Sequence, residues 1–326
     1  MFAHKKTFRL SLMPHLALIL NVGALIALVM AQASLTQAQK YSDWSPPINL
    51  GSVINSGLSD QGPALSKDGL SLYFHSNRPG GLGGFDMYVS HRASVDDPWS
   101  SPLNLGPTVN TGFDEGNPAF SRDGHFLFFQ SVRPCGLGGV DLWVSKRNHS
   151  HEDFDWELPI NLGSGINSTA DDNAPSYFQN DELNVIQLYF VSTRSGGFGG
   201  QDIYVSNQMP DGSFGPAAQV PELSSPSTDS RPSIRHDGLE VVFQSNRTGS
   251  LGTALDLWVA TRESIFDDWS SPVNLGSTIN TLFTENNAHL TSDNKALLFS
   301  SDRPGGSGGL DLYISTRTKR RGQPQN

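Results

Sequence analysis

The sequence predicts an all-β fold, a five-bladed β-propeller with four antiparallel strands per blade, in which an N-terminal strand completes the last blade. Three observations predict it. The 326 residues include 33 glycines and 20 prolines but only 17% charged residues, a composition of short strands and tight turns. One phrase then recurs five times in register. Finally, the repeat phase opens on a fourth-strand phrase, Trp44 to Leu50, and closes on a third-strand phrase, Leu310 to Thr316. A ring whose last blade takes three strands from one end of the chain and one from the other leaves no free hydrogen-bonding edge.

The elements follow within each repeat. An aromatic opens it (Trp44, Trp99, Trp156, Phe214, Trp269), expected as core packing between blades. An acid follows (Asp60, Glu115, Asp172, Asp229, Glu285), with successive spacings of 55, 57, 57 and 56 residues. In the second repeat Pro118 to Ser121 reads as the first strand and Asp123-Gly124 as the hairpin turn that such a dipeptide favours. His125 to Ser131, Val140 to Lys146 and Trp156 to Leu162 read as the next three strands, rich in Phe, Leu, Val and Trp. Four such strands make a propeller blade. The first strand is expected nearest the axis.

Residues 1–38 differ from the rest. His4, Lys5, Lys6 and Arg9 precede an apolar run from Leu16 to Met30, then Ala31-Gln32-Ala33 and Thr36-Gln37-Ala38. That order predicts a secretory signal peptide, a mature start at Ser34 or Gln39, and a periplasmic or secreted bacterial protein. An uncleaved anchor is the alternative and the sole membrane contact expected. Residues 39–318 are the propeller, expected as a monomer, and 319–326 a basic tail. A formal net charge of −10 argues against a nucleic-acid partner. Cys135, the single cysteine, stands where sister repeats carry glycine, so no internal disulfide forms and no nucleophilic role is expected.

The phrase Asn-Pro-Ala-Phe-Ser-Arg-Asp-Gly, followed by Ser-x-Arg-Pro-x-Gly-x-Gly-Gly-x-Asp-Leu-x-Val-Ser, resembles the TolB-type, WD40-like propeller repeat over about residues 41–318. The resemblance implies a non-catalytic envelope module that binds a protein or a cell-wall polymer. No Ser/His/Asp constellation opposes that expectation. The alternatives are a carbohydrate-active, glycosidase-like enzyme, because five-bladed propellers also host glycosidases, and a sugar-binding lectin.

Three sets of residues are candidates for chemistry. The acid column begins each first strand, so Asp60, Glu115, Asp172, Asp229 and Glu285 are expected to ring one mouth of the channel. They would bind a cation such as calcium or a basic partner, or else cap backbone N–H groups and pair with a column arginine. Arg78/Asp86, Arg133/Asp141, Arg194/Asp202, Arg247/Asp256 and Arg303/Asp311 flank the glycine loops eight or nine residues apart. They are expected as ion pairs or hydrogen bonds that hold each loop. Departures from the repeat are candidate specificity positions: Arg231 and Asn287 precede the column proline position, and His289 follows Ala288, which replaces that proline.

Overall fold

The computed structural model describes residues 41–320. Trp44–Thr316 form one compact unit, and residues 41–43 and 317–320 belong to a second, in which Tyr41 bridges Lys319. The signal segment and Arg321 onward lie outside the described residues.

The larger unit is a five-bladed β-propeller, each blade one four-stranded antiparallel sheet, in chain order in four blades and closed by the N-terminal strand in the fifth. Blade one is Asp60–Leu65, Ser71–Ser76, Asp86–His91 and Leu103–Asn104. Blade two is Glu115–Phe120, Phe126–Ser131, Asp141–Lys146 and Ile160–Asn161. Blade three, with its longer hairpin, is Asp172–Asn180, Val185–Ser192, Asp202–Asn207 and Ala218–Gln219. Blade four is Asp229–Ile234, Glu240–Ser245, Asp256–Thr261 and Val273–Asn274. Glu285–Leu290, Ala296–Ser301 and Asp311–Thr316 begin blade five, and Ile48–Asn49 completes it by pairing Ile48 with Ile314.

Two strand boundaries differ from expectation. The first strand of blade two begins at Glu115 rather than Pro118, because a bulge between Gly116 and Ala119 carries the proline, which has no N–H to donate. All five first strands share this irregularity. The outer strands are only two residues long, and such short edges offer little to another chain.

The core sits between the blades, as five clusters at five seams. At each centre a second-strand phenylalanine, Phe74, Phe129, Phe190, Phe243 or Phe299, is fully buried. Burying one such side chain contributes about 1.5–3 kcal/mol. The opening aromatics Trp156, Phe214 and Trp269 are buried in these clusters, and Trp44 and Trp99 pack against them. The first strands neighbour one another around the ring, so they form its inner wall.

Candidate functional site

Each first strand has two ends, and the chemistry at the two ends differs. At the start stands the acid column. Asp60, Asp172, Asp229 and Glu285 are wholly buried and Glu115 nearly so. Each pairs with the arginine that follows the second strand of its own blade: Arg78–Asp60 at 2.5 Å, Arg133–Glu115 at 3.2 Å, Arg194–Asp172 at 2.7 Å, Arg247–Asp229, and Arg303–Glu285 at 2.9 Å. The same arginines donate to a carbonyl of the loop entering the blade, such as Val109 O at 2.6 Å, and lie over the column phenylalanines about 5 Å from the ring centres. The remaining carboxylate lone pairs are also engaged. Glu115 accepts from the Thr111 N–H and hydroxyl and from Ser131, and Glu285 likewise from Thr281 and Ser301.

Burial raises the Glu285 carboxyl above its ordinary range, and it lowers the Arg133 guanidinium. The structure therefore places the five acids as internal counter-ions. Among the described residues no group of three or more His, Cys, Asp or Glu side chains is arranged to hold a metal ion.

The glycine-loop aspartates need a correction. Their expected arginine partners pair with the acid column instead, because the arginine turns back toward the first strand at the axis. Asp86 accepts the Leu82 N–H at 2.7 Å and Asp141 that of Leu137 at 2.5 Å. Asp202, Asp256 and Asp311 receive Gly199, Leu251 and Ser307 in the same way. Loop fixing is thus achieved by backbone donors rather than by an ion pair. A Cβ on Gly81 would lie 1.8 Å from Asp86 Oδ2, which is why this loop position carries glycine.

The other end of the first strands encloses a cavity of 160 Å³ on the side of the first hairpins. Two columns shape it. The bulge column is Gly62, Asn117, Ala174, Arg231 and Asn287, all at positive φ between 51° and 60°. For Ala174 and Arg231 that backbone is strained, at about 1–2 kcal/mol each. The hairpin column is Lys67, Arg122, Gln179, His236 and Ser292, which form the rim. Tyr177, Phe120, Phe178 and the hydroxyls of Ser121, Ser176 and Ser233 complete the wall.

Hydrogen bonds across the seams hold this end. Asn117 N–H donates to His75 Nδ1 at 3.3 Å, Ala174 N–H to Gln130 Oε1 at 3.1 Å, and Asn287 N–H to Gln244 Oε1 at 2.8 Å. In blades one, two and four one second-strand position thus supplies an acceptor to the next blade; in blade three it is Val191, which has none, and in blade five Ser300, whose hydroxyl forms no such bond. His289 Nε2 accepts the Leu65 N–H at 3.1 Å. Burial lowers His75 to about 3 and His289 to about 4, so both rings are neutral acceptors at ordinary pH. Arg231 donates to Asn117 Oδ1. Burial lowers its guanidinium to about 10.

Sequence reasoning found Arg231, Asn287 and His289 as departures from the repeat, and the cavity brings all three together. It missed the hairpin column and His75. Their signal was the same kind of departure, seven residues after the acid and one residue before the second-strand serine.

No family model matches the chain, and no curated protein matches its sequence. Solved structures do share its architecture. An α-L-arabinofuranosidase from Podospora anserina, in complex with cellotriose, aligns at TM-score 0.54 with 10% identity, over 86% of this chain and 98% of that one. An α-L-arabinofuranosidase from Lactobacillus brevis aligns at 0.55 with 11% identity, over 82% and 92%. A putative TolB from Agrobacterium tumefaciens aligns at only 0.49 with 14% identity, over 84% and 97%. At these identities the likeness establishes the five-bladed fold. The expectation of a non-catalytic TolB-type module for envelope proteins or cell-wall polymers is corrected, since most of these structural neighbours are arabinofuranosidases and arabinanases.

Proposed function

We propose that this propeller is carbohydrate-active and that the axial cavity on the hairpin side is its saccharide-binding subsite. The observation that carries this reading is the cavity wall, where hydroxyl and amide groups (Ser121, Ser176, Ser233, Asn117, Gln179) lie beside the half-buried aromatic side chains of Tyr177 and Phe120. A sugar ring presents the matching surfaces, apolar C–H faces and a girdle of hydroxyls. The cavity is smaller than the ~300 Å³ at which pockets for drug-sized ligands begin, which suits one sugar unit. The shared fold of arabinofuranosidases adds support by analogy. The leader read from the sequence puts this recognition outside the cytoplasm.

Hydrolysis is the second reading, favoured by the chemistry of those structural neighbours. It needs two carboxylates, about 5–5.5 Å apart for retention or about 6.5–9.5 Å for inversion. No carboxylate lines the cavity, and the column acids are held by arginines. Calorimetric titration with neutral pentose and hexose oligosaccharides tests the first reading, with Gln179→Ala as the rim variant. Saturable binding weakened by that variant is expected; absence of binding to any saccharide would overturn the reading. Release of an aryl group from an aryl arabinofuranoside by the same preparation would promote the second.

A further inference from the structure

The charge on the cavity is one-sided. Among the described residues its lining includes the cations Arg231, Lys67 and Arg122 and no aspartate or glutamate, and burial lowers His236 so that its ring is neutral. This occurs in a protein of formal net charge −10. Arg122 is the rim cation with a carboxylate partner, Asp181 at 3.0 Å. Arg231 is different. Among the described residues it forms no ion pair, and its one hydrogen bond within the protein goes to the Asn117 amide oxygen.

A guanidinium has five N–H donors in a planar fork that matches a carboxylate. Arg231 is half-buried, and holding a guanidinium there without a counter-ion has a cost that the other end of this channel avoids five times by supplying a carboxylate. The same position in the sister blades is Gly62, Asn117, Ala174 and Asn287, so the blade does not require a cation there. The backbone at Arg231 is also in the left-handed region, where a large side chain is disfavoured. Neither blade geometry nor internal pairing accounts for this arginine. A ligand that brings its own negative charge does.

We propose that the cavity takes a saccharide bearing a carboxylate, a uronic-acid unit, with the carboxylate on Arg231 and with Lys67 at the rim favouring its approach. This rests on the carbohydrate reading above and names the class of sugar. Lys67 comes from blade one and Arg231 from blade four, so the positive charge reaches the cavity from more than one side.

Titration of the purified protein with galacturonic-acid oligomers, the corresponding neutral galacto-oligosaccharides and inorganic phosphate tests it. The acidic oligomers are expected to bind tighter than the neutral ones. Arg231→Gln should weaken only the acidic oligomers, by about 10- to 100-fold, the range of a lost charge-assisted hydrogen bond. Arg231→Lys should recover part of the loss, and melting of both variants no lower than that of the wild type shows that the fold is kept. Equal affinity for neutral and acidic oligomers, or an acid-to-neutral ratio unmoved by Arg231→Gln, overturns this inference and leaves the carbohydrate reading standing. Binding of phosphate alone, or of nothing, overturns both.

Discussion

The two ends of the inner strands teach opposite lessons about repetition. At the start of each strand, five blades carry the same chemistry: an acid, its arginine and a phenylalanine beneath the guanidinium. Every carboxylate is engaged, and nothing faces outward. At the far end, the same five backbones carry glycine, asparagine, alanine, arginine and asparagine, then lysine, arginine, glutamine, histidine and serine. What is repeated serves the blade. What varies on a constant backbone shapes the cavity.

The sharpest way to break this contrast is to remove one acid. Glu115→Ala leaves Arg133 buried without its partner and is expected to cost about 3–5 kcal/mol in denaturant unfolding. Calcium or EDTA is expected to leave the wild-type melt unmoved. A calcium-dependent rise in melting that Glu115→Ala abolishes would make the acid end a site after all.

At the cavity end the sensitive variable is pH. His75 is 5% exposed and its folded value of about 3 lies below the ordinary 6.5, so the unfolded chain takes a proton that the folded ring refuses. Stability therefore falls as pH drops below 6.5, by about 2 kcal/mol at pH 5 for this residue. His75→Gln keeps an acceptor, as Gln130 and Gln244 do in sister blades, and should remove that share of the loss. Unfolding curves at pH 7.5 and 5 for both proteins decide the matter.

Arg231→Gly reproduces the residue of blade one and relieves both the positive φ and the uncompensated cation. It should raise stability by about 1 kcal/mol, in contrast to the acid substitution. A loss comparable to Glu115→Ala would show that Arg231 holds the ring. The smallest effect is expected at Cys135, exposed and at φ 73° where sister loops have glycine. Cys135→Gly should gain up to about 1 kcal/mol in thermal unfolding.

The blade count, the strand order and the closure of the ring could be read from the sequence, because each rests on residues that recur. The acid and arginine columns were equally visible, and their pairing stood among the expectations, beside the competing pairing of each arginine with its glycine-loop aspartate. Arg78 and Asp86 are eight residues apart, whereas Arg78 and Asp60 meet only when two strands align side by side. The bulge was hidden behind Pro118, which looked like a strand start. The cavity was hardest to foresee, since no local pattern announces it. It forms where one non-repeating residue from each blade converges on the axis.

The closure of the ring has a consequence for the order of assembly. Inside a blade the outer strand joins a near neighbour, as Val89 does Leu103, whereas the last blade must bring Ile48 to Ile314. That is about four doublings of loop length, or roughly 2.5 kcal/mol of additional entropy, for a strand of only two residues. Four blades can complete their sheets from consecutive chain; the fifth cannot. Its final strand is therefore expected to act as a latch, docking after the other blades have brought the two ends together.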